Sequence, residues 1–391
     1  MPKTIHIFSY MLLCTNLFAQ GRWEWQNPYP HGAEIRNIFA FNPDSALGID
    51  LSGHAVKTEN NMDWENVQNP SVINAEIYRA HFIDMNRGWM AGFDPTNGRG
   101  FVFRTIDGGM NWEQYVLPSA ILICTHFFDG QRGWAAGGGG QVIRTEDGGK
   151  SWTKQSCSGV QYLLDIYFVT SQIGYAVGTG GRIYKTTDGG DNWLAQKSGV
   201  NSWLWSVNFV DENIGYATGE NSTILRTRNG GETWTILTSD AENIFFSSSF
   251  LNADTGFVIG GGGLVLKTLD GGENWQIKDT GTFSTIWDIS FTASGVGWAV
   301  GSGGTIINSI DFGETWTVQS KGTLAVLEAG RFSDLMHGCA VGHNGIVIQT
   351  KDGGENWIEG ESGTENALLA MDFVDADRGW VVGQSGTILQ T

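Results

Sequence analysis

Two aspartates at corresponding places in similar apolar segments could do acid–base chemistry. Asp165 lies in LLDIYF and Asp288 in IWDISF, each three residues before a phenylalanine. Two carboxylates that face each other across a cleft are the machinery of glycoside hydrolysis. The alternative is that each carboxylate accepts hydrogen bonds from a neighbouring strand and only holds the fold. The residues leave both interpretations open, and we favour the structural one.

Two histidines could bind a metal, since His81 and His126 occupy one place in successive repeats. The next members of that series are Tyr167 and Asn208, so a third ligand of the kind that zinc requires is missing. The sequence also contains no Gly-x-Ser-x-Gly, His-Glu-x-x-His or phosphate-loop motif. We therefore predict no catalytic residue, no metal site and no cofactor.

An acidic octet recurs along the chain, for example TEDGGKSW at 145–152 and TLDGGENW at 268–275. Each octet belongs to a separate repeat, too far from the next to share an ion, and none has the Asp-x-Asp-x-Asp-Gly ladder of a calcium loop. A glycine pair after Asp or Asn supplies the positive φ angles of a tight hairpin. We predict a structural role for the octet residues, which are Thr105, Asp107, Trp112, Thr145, Asp147, Trp152, Thr186, Asp188, Trp193, Thr227, Asn229, Trp234, Thr268, Asp270, Trp275, Ser309, Asp311, Trp316, Thr350, Asp352 and Trp357.

The tryptophans that end the octets set the period of the chain. Trp64 and Trp112 are 48 residues apart, the next interval is 40, and the following five are 41. Each unit has four short apolar or alternating runs, such as LLDIYFV, GYAVG, RIYKT and WLAQK, with turn residues between them. Four strands in about 41 residues predict an all-β propeller, in which four-stranded blades stand around a channel and bury each other's faces.

Counting the units predicts nine blades in residues 20–391. Trp23 lies 41 residues before Trp64, so we expect residues 23–27 to supply the fourth strand of the last blade, 366–391. The ring would then close with strands from both termini and leave no unpaired edge. Because four to eight blades are usual in this architecture, the alternative is a truncated propeller of eight units and part of another.

The octet resembles the Asp-box of bacterial-neuraminidase-type repeats. With the Gly-aromatic-Ala-Val-Gly strands at 174–178 and 297–301, it is similar to the photosystem II stability and assembly factor family over residues 22–391. The resemblance implies a propeller with an assembly or stability role. It does not imply one activity, since Asp-boxes also occur in sialidases, xyloglucan-cleaving hydrolases and sortilin-type receptors, where they are structural.

Long loops and inner strands give a candidate binding face. The loops 27–34, 66–76 and 93–100 exceed the regular length and belong to neighbouring units. Repeat proteins often place insertions on the binding side, and an aromatic residue near a channel mouth can stack on a sugar or a partner's side chain. The residues that we single out are Phe93, Asp94, Asn97, Arg99, Arg79, Asp165, Trp203 and Asp288.

The first nineteen residues differ from the rest. Lys3 and His6 lie at the start of a largely apolar stretch from Ile5 to Phe18, and Ala19 offers a small residue for cleavage. Residues 1–19 therefore resemble a secretory signal peptide, and we expect export to the periplasm, the cell surface or the medium. No later apolar run is long enough to span a membrane.

Three cysteines remain after that segment. A disulfide bridge between Cys124 and Cys157 stays open, because export is the oxidising route. Cys339 replaces an aromatic residue in its repeat, so we expect a buried thiol there.

The amino-acid composition limits the classes of partner that the chain can bind. Acidic residues outnumber basic ones by 41 to 23, the formal net charge is -18, and no run of Lys or Arg interrupts the excess. Nucleic acid and anionic membrane are therefore poor partners. The leading hypothesis is an exported, non-catalytic, monomeric propeller that binds protein or glycan. The alternatives are a sialidase-like or xyloglucanase-like glycoside hydrolase, and the propeller part of a larger adhesin or cell-surface protein.

Overall fold

The computed structural model describes residues 34–61, 63–67, 75–118, 120–319, 327–332, 336–352, 357–373 and 379–390. In this part of the chain, 35 strands form nine antiparallel sheets, eight with four strands and the last with three. The prediction of an all-β fold with nine units is confirmed. The predicted signal peptide lies outside the described residues.

Each sheet is one contiguous segment, and the sheets are called blades 1 to 9 in chain order. Blades 1 to 3 contain β1 (Ile35–Asn42), β2 (Ser45–Asp50), β3 (Ala55–Thr58) and β4 (Glu65–Val67); β5 (Glu76–Phe82), β6 (Gly88–Asp94), β7 (Arg99–Thr105) and β8 (Glu113–Leu117); β9 (Leu122–Phe127), β10 (Gly133–Gly137), β11 (Gln141–Thr145) and β12 (Thr153–Ser156).

Blades 4 to 6 contain β13 (Leu163–Phe168), β14 (Gly174–Gly178), β15 (Arg182–Thr186) and β16 (Leu194–Gln196); β17 (Leu204–Phe209), β18 (Gly215–Gly219), β19 (Ile224–Thr227) and β20 (Thr235–Leu237); β21 (Phe245–Phe250), β22 (Gly256–Gly260), β23 (Val265–Thr268) and β24 (Gln276–Lys278).

Blades 7 to 9 contain β25 (Ile286–Phe291), β26 (Gly297–Gly301), β27 (Ile306–Ser309) and β28 (Thr317–Val318); β29 (Leu327–Phe332), β30 (Gly338–Gly342), β31 (Val347–Thr350) and β32 (Ile358–Gly360); β33 (Leu368–Phe373), β34 (Gly379–Gly383) and β35 (Ile388–Gln390). Single turns of 3-10 helix stand before the third strands of four blades, at Thr179–Gly181, Ser302–Gly304, His343–Gly345 and Gln384–Gly386. None of the helical turns in the described residues could cross a membrane.

Neighbouring blades bury each other's faces, which is why the second strands are apolar on both sides. All five residues of GYAVG in β14 are buried. A separate apolar cluster joins each successive pair of blades from blade 1 to blade 7. One more cluster joins blade 7 to blade 1, in which Trp298 and Val300 pack with Ile38 and Trp64. Blades 1 to 7 therefore form a ring.

The junction of blades 7 and 1 is also hydrogen-bonded. The Ile38 N–H donates to Asp288 Oδ2 at 3.1 Å, and Trp64 Nε1 donates to Gln319 Oε1 at 2.8 Å. Blades 8 and 9 pack on each other through a cluster that contains Val341 and Leu368. The closing strand predicted at 23–27 lies outside the described residues. Seven blades lie within the usual range for a ring of packed sheets.

The three cysteines of the described residues are buried free thiols. Burial raises the pKa of Cys157 to about 12 and that of Cys339 to about 11. The structure therefore leaves Cys124 and Cys157 unbridged, and Cys339 is buried as the sequence predicted. A thiol that stays protonated is a poor nucleophile.

Candidate functional site

The inner strands of blades 1 to 7 surround a cavity of about 270 Å³ on the axis of the ring. One side chain near the start of each inner strand lines it, and the members from Ile123 onward recur every 41 residues. We call this set the channel mouth; it consists of Arg36, Tyr78, Ile123, Leu164, Trp205, Phe246 and Trp287. The mouth is mainly apolar, which suits an apolar or planar ligand group.

Aromatic rings form a continuous arc on blades 5 to 7. Trp205 contacts Trp203 and Phe246, with 5.9 Å between ring centroids in both pairs. Phe246 and Trp287 follow at 4.5 Å, and the guanidinium of Arg36 lies 3.9 Å from the Trp287 ring centroid. An arc of this kind offers a large contact area whose rings are already held in place by their neighbours.

The arc continues onto the exposed surface. Trp203 and Ile244 are more than a third exposed, and Phe283, in the connection to blade 7, is 95% exposed. Exposed apolar side chains beside a cavity lining, as Trp203 is through its contact with Trp205, are a feature of interaction sites rather than of ordinary surface. The sequence had pointed to Trp203, and the structure places it at the edge of this group.

Arg79 spans the channel below the mouth. Its Nη2 donates to the carbonyl oxygens of Trp205 at 3.1 Å and Phe246 at 3.2 Å, on the opposite side of the ring. Its Nη1 lies 3.8 Å from Asp288 Oδ1. A guanidinium held largely out of water needs such partners, so the half-buried Arg79 ties blade 2 to blades 5, 6 and 7 and lines the cavity.

The two aspartates of the suspected catalytic pair bind the backbone of the next blade. Asp165 Oδ2 accepts from Val207 N at 2.9 Å, and Asp288 Oδ2 accepts from Ile38 N at 3.1 Å. Burial raises the pKa of both carboxyl groups, and the positive charge of Arg79 opposes that rise. Both aspartates therefore hold neighbouring blades at the same level of the channel.

The long loop at 93–100 reaches the mouth at one point. Phe93 stacks on Tyr78, with parallel rings 6.1 Å apart. Asp94 instead accepts hydrogen bonds from Thr96 and Asn97 within its own turn, which lowers its pKa. Arg99 is exposed. The loops 27–34 and 66–76 lie largely outside the described residues.

The two histidines stack between blades. The rings of His81 and His126 are 4.5 Å apart, and His126 is 4.9 Å from Tyr167. Burial lowers the pKa of His81 to about 4 and that of His126 as well, so both rings are neutral. Among the described residues, no group of three His, Cys, Asp or Glu side chains is placed to hold a metal ion.

In each octet the acid is bonded inside its own turn. Asp147 Oδ1 accepts from Thr145 Oγ1 at 2.8 Å and from Ser151 N at 2.9 Å, and its Oδ2 accepts from Ser151 Oγ at 2.6 Å. The hydrogen bonds from Ser151 and Thr145 lower the pKa of Asp147 to about 2. The same bond from the threonine or serine hydroxyl is present at Asp107, Asp188, Asn229, Asp270, Asp311 and Asp352.

The octet also joins neighbouring blades, which the sequence did not indicate. An aromatic residue of the second strand in one blade donates to the carbonyl of the first octet glycine in the next. Three such bonds are 2.8 to 2.9 Å long, from Trp89 to Gly148, from Trp134 to Gly189 and from Tyr175 to Gly230. The ring of Trp89 also stacks on Phe127 of the next blade, with 3.7 Å between centroids.

Sequence reasoning missed most of the mouth. Arg36, Tyr78, Phe246 and Trp287 were not singled out, although Phe246 and Trp287 follow Trp205 at intervals of 41 residues. The repeat spacing could therefore have identified these mouth residues, since each stands one residue before the position that Asp165 and Asp288 occupy in their inner strands. The structure adds that the ring brings these positions together.

The fold defines a β-propeller built from Asp-Gly-Gly-turn blades around a lined channel. The family model described as Photosynthesis system II assembly factor YCF48 matches residues 56–160, 193–282 and 273–359. The chain belongs to this family, as the resemblance predicted.

Individual relatives and solved structures differ in how much of the chain they match. The Photosystem II assembly lipoprotein Ycf48 of Synechococcus sp. (strain CC9902) is 28% identical over 115 residues, which cover 28% of this chain and about a third (32%) of that relative's length. The GH74 enzyme of Niastella koreensis has a TM-score of 0.65 at 14% identity, covering 92% of this chain and 71% of the enzyme. YCF48 bound to a D1 peptide has a TM-score of 0.44 at 20% identity, covering 69% of this chain and 92% of that one. The likeness to the GH74 enzyme, at 14% identity, concerns the fold alone.

Proposed function

We propose that this chain is an exported, non-catalytic assembly module that binds a protein partner by seating an apolar or aromatic side chain in the channel mouth. The observation that carries the proposal is the arc of Trp205, Phe246 and Trp287, which Trp203, 39% exposed, extends to the surface. Family membership supports a role in assembly, since a relative is an assembly lipoprotein. A protein partner also accords with the D1 peptide bound by the solved YCF48.

The polar groups of the mouth favour a protein side chain over a sugar. Arg36 is already paired with Glu34, with 2.8 Å between Nη2 and Oε2. The guanidinium of Arg79 is committed to two carbonyl oxygens and Asp288. A sugar carries hydroxyls that need partners, and burying them without hydrogen bonds costs free energy. An apolar side chain makes no such demand.

The glycoside hydrolase alternative would require carboxylates that are available to a substrate. Asp165 and Asp288 are instead bonded to the backbone of the next blade, below the mouth. The likeness to the GH74 enzyme concerns the fold. These observations support the non-catalytic part of the proposal.

Export is supported by the apolar segment before Ala19 and by the lipoprotein relative.

We expect peptides selected from a phage-displayed library on the full chain to depend on the aromatic arc. Aromatic residues at the centre of an interface often contribute 2 kcal/mol or more. Trp205→Ala and Phe246→Ala should therefore weaken the selected peptides by about 30-fold, measured by fluorescence polarisation. Leu194→Ala, an exposed apolar residue on outer strand β16, is the control and should change nothing.

Equal affinity of the wild type and both mouth variants would refute the proposal. The D1 peptide serves as a second, defined probe. A glycan panel with a hydrolysis readout tests the alternative, since turnover that is lost in Asp165→Asn would replace binding by catalysis as the function.

A further inference from the structure

Blade 9 presents an apolar face that matches a buried one elsewhere in the chain. Trp380 is 42% exposed, Val382 is 45% exposed and Ile388 is 70% exposed. Exactly corresponding positions lie 82 residues earlier on blade 7, where the same three residue types are fully buried against blade 1, namely Trp298, Val300 and Ile306. Blades 7 and 9 thus present faces of the same composition, and blade 1 can pack on either of them.

We propose that blade 1 exchanges between blade 7 and blade 9, so that the chain forms either the seven-blade ring or a nine-blade ring. In the second form, blade 8 takes the place of blade 1 beside blade 7. The proposal is independent of the proposed function. It commits the exposed face of blade 9 to one occupant, which is blade 1 of the same molecule.

The junction of blades 7 and 1 lacks the octet bond that the four junctions from blades 2 and 3 to blades 5 and 6 have. Trp298 Nε1 is buried and has no hydrogen-bond partner in the described part of the chain. At the same place in blades 2 and 3, Trp89 and Trp134 donate to the octet of the next blade. A buried donor without a partner costs free energy, so this junction is less well satisfied than its equivalents.

The sequence shows why the bond is missing and where it could be made. The octet of blade 1, at 58–64, is one residue short and has no glycine. The octet of blade 8 retains Asp352 followed by two glycines. Blade 8 beside blade 7 would therefore bring an octet with the glycine pair that the blade 1 octet lacks.

Other contacts favour the seven-blade ring. Asp288 accepts from Ile38 N, and Ser290 Oγ accepts from Ala40 N at 3.1 Å. On blade 9 the residue in the place of Asp288 is Ala370, which offers no such acceptor. The nine-blade ring is thus the minor form. It would add Glu328 and Leu369 to the mouth series, which continues at intervals of 41 residues, and so widen the site.

The test is a distance measurement between blades 1 and 9. Spin labels are placed at Glu59→Cys and Gln390→Cys in the full chain with Cys14→Ser, since the three remaining cysteines are buried. We expect two populations of the distance between the labels, a longer one from the seven-blade ring and a shorter one from the nine-blade ring, in which blade 1 packs on blade 9. Gln319→Ala removes the acceptor of the Trp64 bond and should raise the shorter population about tenfold. Trp380→Arg should abolish it, while Ile358→Arg, a 70% exposed residue on β32, should not.

A single population that Gln319→Ala leaves unchanged would overturn the proposal. A shorter population that disappears on dilution with unlabelled chain would overturn it too, because the face would then bind a second copy. If Gln319→Ala does not fold by circular dichroism, Trp64→Phe removes the donor of the same bond and takes its place.

Discussion

At the scale of single residues, the acid of each octet stabilises its turn by accepting hydrogen bonds from hydroxyl and backbone N–H groups. Asp147 binds the hydroxyl and backbone of its own turn, and Asn229 does the same through Oδ1, with 3.0 Å to both Thr227 Oγ1 and Thr233 N. The natural asparagine shows that the oxygen, and not the charge, fixes the turn geometry. The charge adds a dependence on pH.

We expect Asp147→Asn to fold with nearly the stability of the wild type, whereas Asp147→Ala should lose about 2 kcal/mol because three donors lose their acceptor. Urea denaturation at pH 7 measures the difference. Equal stability of the two variants would contradict this account.

The pKa of Asp147 is about 2 in the folded chain, below the value of about 3.9 for an unfolded aspartate. Its contribution to stability is therefore present above about pH 4 and is lost as the pH falls through about 2. Asp147→Asn should accordingly flatten the acid limb of the stability profile.

At the scale of elements, the blade-to-blade bond explains a paired change in the sequence. Between blades 6 and 7 the second-strand aromatic is Phe257, which has no donor group, and the first octet glycine of blade 7 is replaced by Phe312 with φ of 58°. Phe257 still stacks on Phe291, with 4.2 Å between centroids. The donor is lost, while the turn geometry and the stacking remain.

Trp89→Phe and Trp298→Phe form a matched pair that isolates this bond. Both remove similar volume from a fully buried site, but only Trp89 donates to an octet carbonyl. We expect Trp89→Phe to be more destabilising by about 1 kcal/mol in chemical denaturation. The same loss in both variants would show that the bond contributes nothing beyond packing.

At the scale of the whole molecule, ring closure follows from complementary faces. Ile38 and Trp64 of blade 1 meet Trp298 and Val300 of blade 7 in one buried apolar cluster. Each sheet is contiguous in sequence, so side chains and a few hydrogen bonds complete the ring. The mouth exists because seven inner strands converge there.

We expect a chain that ends at residue 326 to retain the ring, since the clusters that join blades 1 to 7 lie before that point. Its near-ultraviolet circular dichroism should keep the aromatic signal, and its thermal midpoint should stay within a few degrees of the full chain's. Loss of that signal would mean that blades 8 and 9 are needed for closure.

The sequence by itself determined the four-stranded blade and the number of blades. A 41-residue period with four apolar runs leaves few architectures, because strands that are apolar on both sides must be covered on both sides. The octets were predicted as tight hairpins for the same local reason, since a glycine pair with positive φ makes such a turn, and they stand between the third and fourth strands. Trp203 and Arg79 were found near the channel because inner strands are recognisable by register.

The tertiary structure decided which blades meet and what the site is. Local patterns repeat almost identically in every unit, so they cannot distinguish blade 7 from blade 9 as the neighbour of blade 1; that choice depends on contacts such as Asp288 with Ile38. The mouth likewise joins Arg36 to Trp287, 251 positions away in sequence. The free energy of packing and hydrogen bonding between distant segments selects the ring. A local sequence pattern does not encode those contacts.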